Sequence, residues 1–316
     1  MKVLANDGLA TSGIKALENA GVEVILTKVA QEQLIDYINK NSIDVILVRS
    51  ATKVRKDIID ACPSIKIIGR GGVGMDNIDV DYAKSKGIHV INTPAASSHS
   101  VAELVFAHLF GMVRFLHDSN RNMPLDGDTK FNELKKAYAK GIELRGKTLG
   151  VLGFGRIGQA TAKVALGLGM KVIAYDPYIE SATLELEFFD GQTIFFKIDT
   201  ISKEEVLQQA DFITLHVPAQ KEYVISEKEF EIMKNGVGIV NAARGGVIDE
   251  VALVNAIESG KVSNAALDVF EKEPTPEVQL LMNPRLSLTP HIGAATSEAQ
   301  DRIGTELAEQ IIALSN

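Results

Sequence analysis

The chain reads as an α/β protein with two doubly wound parallel sheets, and three observations predict it. Short, β-branched apolar runs alternate with amphipathic helical stretches along its whole length, the pattern of βαβ units. The alternation comes in two series, the second flanked by two long helical stretches, Ser98–His117 and Ser297–Leu314. A length of 316 residues also exceeds what one compact core usually serves.

In the first series the strands are Val3–Ala5, Val22–Leu26, Val45–Val48, Ile65–Ile68 and His89–Ile91, with helices at Thr11–Ala20 and Gln31–Asn39 between them. The second runs through Thr148–Leu152, Lys171–Tyr175, Phe212–Val217, Ile239–Ala242, Ala265–Val269 and Leu286–Thr289. Six strands with helical crossovers match a complete doubly wound dinucleotide fold. Each long helix is expected to cross between domains, the last returning to the first domain. The domains are then 1–95 plus 293–316, and 96–292. One stretch breaks the alternation: around Asp190-Gly191, residues 184–198 alternate apolar and polar, a hairpin signal. It reads as a surface ribbon or an oligomer contact without chemistry.

Hydrophobic residues make up 46% and charged residues 23%, ordinary for a soluble domain. A formal charge of −8 and no basic stripe argue against nucleic acid as a partner. The single cysteine, Cys62, excludes an intramolecular disulfide and suits a reducing compartment. Met1–Asp7 is too short in apolar length for a signal peptide, and no apolar run reaches bilayer length. The expectation is a cytoplasmic protein without a membrane partner.

Gly153, Gly155 and Gly158 form a Gly-x-Gly-x-x-Gly run with Arg156 and Ile157 inside it. A strand precedes it and a helical pattern follows. The first glycine allows a tight turn, the second lets a diphosphate approach the backbone, and the third lets helix pack on strand. The following helix then turns its free N–H groups to the phosphates. Asp176 ends the next strand, where a carboxylate can accept from ribose hydroxyls and repel a 2′-phosphate, so NAD is favoured over NADP. His216, Pro218, Ala242 and Asp268, at or beyond later strand ends, are assigned to the same cofactor site.

Arg244, Glu273 and His291 follow three further strands. The carboxyl ends of strands line the ligand crevice in such sheets, so the three can converge. Hydride transfer from a secondary alcohol needs a base, and a histidine's intrinsic pKa lies near neutrality. Glu273 would orient that histidine and fix its tautomer. Arg244 can grip a carboxylate through two parallel hydrogen bonds. His89, His99, His108 and His117 read as packing or surface residues. No His/Cys/Asp/Glu cluster has metal-ligand spacing, so no metal is expected.

Long stretches carry a family resemblance: Val48–Val54, Gly69–Asp79, Asn92–Pro94, Leu144–Gly150, Ala243–Asp249, Ala266–Phe270 and Thr289–Gly293. On these the chain resembles the D-isomer-specific 2-hydroxyacid dehydrogenases, and within them the phosphoglycerate branch. The resemblance implies a Rossmann-type NAD domain and a flavodoxin-like substrate domain, with NAD bound between them. It puts the family's arginine, glutamate and histidine on Arg244, Glu273 and His291. The substrate-carboxylate loop falls on Gly71, Gly72, Val73 and Gly74. Arg49 and Ser50 match the phosphate end of the substrate, Arg70 ends a strand towards the same crevice, and Lys135 and Lys136 fall where that branch places phosphate-binding cations.

The implied reaction is oxidation of 3-phosphoglycerate to 3-phosphohydroxypyruvate, the first step of serine biosynthesis, by a homodimer. The chain ends soon after the last crossing helix, so regulatory domains of longer relatives and feedback through them are not expected. Alternatives are another D-2-hydroxy acid, such as hydroxypyruvate/glycerate, glyoxylate or lactate, or a non-enzymatic NAD-sensing corepressor.

Overall fold

A computed structural model describes residues 1–315. The chain divides into two compact units, Met1–Ser98 with the stretch from Ala294 onward, and His99–Gly293.

The first unit runs β1 (Lys2–Ala5), α1 (Thr11–Asn19), β2 (Glu23–Ile25), α2 (Leu34–Asn41), β3 (Val45–Val48), α3 (Lys56–Ala61), β4 (Ile67–Arg70), α4 (Val80–Ser85) and β5 (His89–Asn92). Its five strands are parallel in the order β2-β1-β3-β4-β5, the flavodoxin-like order. Val3, Leu4, Ala5 and all of β3 are buried. Helices cover both faces of such a sheet, so its central strands are apolar throughout instead of alternating.

The second unit opens with α5 (Ser98–Val113), which starts at the boundary, then α6 (Leu116–Asp126) and α7 (Phe131–Ala137). There follow β6 (Thr148–Leu152), α8 (Arg156–Gly167), β7 (Lys171–Tyr175), β8 (Ser181–Glu187), β9 (Thr193–Asp199), α9 (Lys203–Gln209) and β10 (Phe212–Leu215). The unit ends with α10 (Glu227–Ile232), β11 (Val237–Asn241), α11 (Glu250–Glu258), β12 (Val262–Leu267), α12 (Val278–Leu281) and β13 (Leu286–Leu288). The last helix, α13 (Ser297–Ser315), belongs to the first unit and packs on α1. There a Cβ on Gly13 would lie 2.5 Å from the Gly304 carbonyl oxygen, so the two backbones touch.

Three details differ from expectation. The stretch Ser98–His117 is not one helix: Phe115 has a φ of 56°, which no right-handed helix accommodates. The axis bends by 56° there, and Ile142 N–H donates to the freed Val113 carbonyl. Second, the six-stranded sheet has the order β13-β12-β11-β10-β6-β7. The edge beyond β7, where a Rossmann sheet carries one more strand, holds only a single parallel bridge between Ala174 and Thr200. Third, the hairpin is longer than 184–198 and forms its own two-stranded antiparallel sheet, pairing Leu184 with Phe196. Leu184 and Leu186 join the core of the unit, while Phe189 and Phe195 stand in solvent. Among the described residues no single helix is long and apolar enough to cross a membrane.

Candidate active site

All six strands of the larger sheet are parallel, so their carboxyl ends share one edge. The glycine loop follows β6, Asp176 follows β7, His216 follows β10, Ala242 and Arg244 follow β11, Asp268 and Glu273 follow β12, and His291 follows β13. The parallel topology turns residues far apart in sequence into neighbours along one rim.

At β6 each glycine has a separate reason. Gly153 has a φ of 92°, and a Cβ there would sit 2.5 Å from the His216 carbonyl oxygen. A Cβ on Gly158 would meet the Gly153 oxygen at 2.1 Å, so only glycine lets α8 start this close to the strand. Around Gly155 nothing lies within 4 Å, an open approach to bare backbone. Gly155 is also the N-cap of α8 and supplies no side-chain cap, which leaves the first-turn amides to a ligand. Arg156 is exposed at that end and Ile157 packs towards the core. An open backbone, uncapped amides and a cation suit a dinucleotide diphosphate.

Asp176 does more than face that loop. Its Oδ2 accepts from Phe154 N–H at 2.8 Å, and its Oδ1 accepts from the amides of Tyr178 and Ile179. The carboxylate thus ties the glycine loop to the end of β7. His216 keeps part of its surface in solvent, yet its Nδ1 is sealed and unpartnered, with Nε2 3.0 Å from Thr214 Oγ1. The nitrogens carry the titration, so burial governs: it pushes the imidazole down to about 3. Pro218, two residues on, is exposed.

On the same rim His291 Nδ1 lies 2.8 Å from Glu273 Oε2, and Glu273 Oε1 accepts from Phe270 N–H at 3.1 Å. Both carboxyl oxygens are committed. Burial of Glu273 raises its carboxyl, but the His291 hydrogen bond and charge, the Phe270 amide and the Arg244 charge together hold it below the ordinary value. His291 has a φ of 56°, a conformation uncommon for a non-glycine residue and frequent at functional turns. Its backbone N–H turns back to Thr289 O, and Asp268 accepts from the next two amides, Ile292 and Gly293, each at 2.8 Å.

Arg244 is set by its glycines. A Cβ on Gly245 would fall 1.8 Å from the Phe270 carbonyl oxygen, and Gly246 has a φ of 75°. The β11 and β12 loops therefore press together, bringing the guanidinium charge within reach of Glu273. Asn241, buried at the end of β11, braces the loop: its Nδ2 donates to Arg244 O and its Oδ1 accepts from Ala243 N–H. Sequence reasoning passed over Asn241 and Thr289; an amide or hydroxyl side chain at a strand's carboxyl end is the signal that marks such braces.

In the first unit Gly71–Gly74 follow β4. Arg70 is nearly buried and Nη1 donates to Gly74 O, so its guanidinium holds its own loop instead of extending from it. Asp7 accepts from the Arg49 amide at 2.6 Å and Asn77 donates to the Arg49 carbonyl, leaving that side chain to other work; Ser50 and Val73 are exposed. Lys135 and Lys136 are exposed in the last turn of α7 in the second unit.

Residues 106–293 match the family model of the D-isomer specific 2-hydroxyacid dehydrogenase, NAD binding domain. The chain belongs to the D-isomer specific 2-hydroxyacid dehydrogenase family, whose cofactor is NAD. Among its relatives, a D-3-phosphoglycerate dehydrogenase of Methanocaldococcus jannaschii is 44% identical over 98% of this chain and 57% of its own. A hydroxypyruvate reductase of Thermotoga maritima is 46% identical over 98% of this chain and 97% of its own. The chain thus spans little more than half of the first relative and nearly all of the second. A glyoxylate reductase from Paecilomyes thermophila superposes with a TM-score of 0.81 at 32% identity, covering 98% of this chain and 93% of that one. D-lactate dehydrogenase from Aquifex aeolicus, complexed with NAD and lactic acid, gives 0.76 at 28%, covering 100% and 95%.

Proposed function

We propose that this chain oxidises 3-phospho-D-glycerate to 3-phosphohydroxypyruvate with NAD, the first step of serine biosynthesis, as a cytoplasmic homodimer. The observation that carries the chemistry is the 2.8 Å His291–Glu273 pair beside the Arg244 charge. Glu273 occupies Nδ1 and leaves Nε2 for the substrate hydroxyl, so His291 takes the hydroxyl proton. Arg244 holds the carboxylate and polarises the C2 oxygen through parallel hydrogen bonds. Bound NAD supplies the hydride acceptor. The Gly153–Gly158 loop and the start of α8 hold its diphosphate, Asp176 faces its ribose, and His216, Pro218, Ala242 and Asp268 complete that rim.

In the first unit the amides of Gly71–Gly74, braced by Arg70, receive the substrate carboxylate, and Arg49 with Ser50 meets the phosphate. Lys135 and Lys136 are the further cations assigned to the phosphate end. Similarity to D-3-phosphoglycerate dehydrogenases supports this substrate. The end-to-end match to a hydroxypyruvate reductase favours a second reading, reduction of the unphosphorylated acid.

One assay separates them: purified protein with NAD and 3-phosphoglycerate, D-glycerate or D-lactate, and with NADH and phosphohydroxypyruvate or hydroxypyruvate. Turnover confined to the phosphorylated pair, lost in Arg49→Ala, is the expected result; turnover on hydroxypyruvate alone moves the assignment to the second reading. His291→Ala and Arg244→Ala should each lower kcat by about 10²- to 10⁴-fold with NAD affinity kept. Near-normal turnover in either variant removes it from the mechanism.

A further inference from the structure

His108 is a polar residue on the inner face of α5. Val101, Val105, Leu109 and Met112 share that face and are buried, and His108 itself is 4% exposed. An imidazole placed there must satisfy both ring nitrogens locally. It does so on the final strand: Nδ1 lies 2.9 Å from Ser287 Oγ and Nε2 lies 3.0 Å from Thr289 Oγ1.

Proton counting gives these contacts a direction. The Thr289 hydroxyl donates to Asp268 Oδ1 at 2.6 Å. A hydroxyl has one proton, so towards His108 Thr289 can only accept. His108 therefore carries its proton on Nε2, and its bare Nδ1 accepts from the Ser287 hydroxyl. Burial pushes this imidazole below its ordinary value; the Asp268 charge opposes that and His117 adds to it, which agrees with a neutral ring. From Asp268 the chain of bonds continues to the amides of Ile292 and Gly293, the two residues after His291.

We propose that His108 is a positioning residue for His291: a directed series of hydrogen bonds, Ser287 to His108 to Thr289 to Asp268, clamps the turn that holds the base in its left-handed conformation. The inference rests on the reading of His291 as the base. Asp268 alone could grip the two amides, but a carboxylate with rotational freedom would let the turn drift. The Thr289 hydroxyl, itself held by His108 Nε2–H, fixes Asp268 in one rotamer. His108 on α5 is thus linked to the turn of the base through Thr289 and Asp268. Glu273 pairs with His291 directly and the Arg244 charge acts on Glu273; neither belongs to this series.

The test uses the full chain with His108→Ala, Thr289→Val and the double variant. Thr289→Val keeps the volume and leaves His108 in place, so it carries the test if His108→Ala folds poorly. In each variant, amide hydrogen exchange at Ile292 and Gly293 should accelerate at least tenfold while exchange in β6 and β10 stays unchanged. With whichever oxo acid the protein reduces, kcat per folded molecule should fall roughly 10- to 100-fold with KM for that acid within about threefold. The double variant should lose no more than the worse single one, because both cut the same series. His108→Gln, which keeps a donor and an acceptor, should recover part of kcat. Unchanged exchange at Ile292 and Gly293, or losses that simply multiply in the double variant, would overturn the proposal. His291→Ala run in parallel keeps the two questions apart. Retained activity there defeats the assignment of the base. An inactive His291→Ala beside fully active His108→Ala and Thr289→Val defeats only the positioning role.

Discussion

At His291 two requirements meet in one residue: a left-handed backbone and one ring nitrogen left open. The first costs about 1–3 kcal/mol and persists only where neighbours enforce it, here the Asp268 grip on Ile292 and Gly293. The second follows from Glu273 occupying Nδ1. Because the folded Glu273 carboxyl is held below its ordinary value, its contribution to stability is complete above the ordinary carboxyl range and is lost as pH falls through the lowered one. An acid limb in the activity profile that begins above the ordinary carboxyl range should therefore not come from Glu273. Glu273→Gln keeps the shape but removes the charge, and we expect kcat to fall roughly 10- to 100-fold with NAD affinity unchanged in a titration. A kcat equal to that of the parent would reduce Glu273 to a loop residue.

Single elements are limited by how closely backbones approach. The start of α8 is the clearest case, since a Cβ on Gly158 would sit 2.1 Å from a carbonyl oxygen that cannot move without the strand. Gly158→Ala should push α8 outward and spread the amides proposed to receive the diphosphate. Overpacking of this kind costs about 1–3 kcal/mol, and NAD affinity measured by calorimetry should weaken about tenfold or more. Gly155→Ala, with nothing within 4 Å, should keep its fold and lose affinity only through the ligand's own clash; equal unfolding temperatures for the two variants would contradict the contrast. The hairpin is an element of another sort. Its Leu184–Phe196 register gives one apolar face to the core, while its Phe188–Gln192 loop closes with Gly191 at a φ of 85°.

For the whole chain, the pH dependence of stability has the His216 imidazole, with its sealed Nδ1, at its centre. His216 titrates near 3 in the folded protein against 6.5 when free. Between those values the unfolded chain binds a proton at this site and the folded chain does not. Stability should then fall as pH drops from 6.5 towards 3, by at most about 1.4 kcal/mol per pH unit from this group. Urea unfolding at a series of pH values measures the slope, and His216→Phe should flatten it. A slope of the same size in that variant would assign the acid sensitivity to the carboxylates, Glu273 among them.

The sequence by itself determined the periodic elements and the chemistry-bearing residue types. Continuous apolar runs such as Val45–Val48 specify buried parallel strands, and Gly153–Gly158 before a helical pattern specifies a tight glycine turn into a helix, because both are local rules of burial and backbone freedom. Arg244, Glu273 and His291 were legible as strand-end residues for the same reason. Only the tertiary structure decided the rest. Phe115 breaks the long helix through one backbone angle that apolar periodicity does not register. The edge beyond β7 shrinks to one bridge because pairing partners are chosen across the sheet. Arg70 turns inward onto Gly74, and His108, by pattern a packing residue, finds Thr289 and Asp268. Each of these depends on which groups meet across long stretches of chain, and hydrogen-bond partners of that kind are set by packing, not by spacing along the sequence.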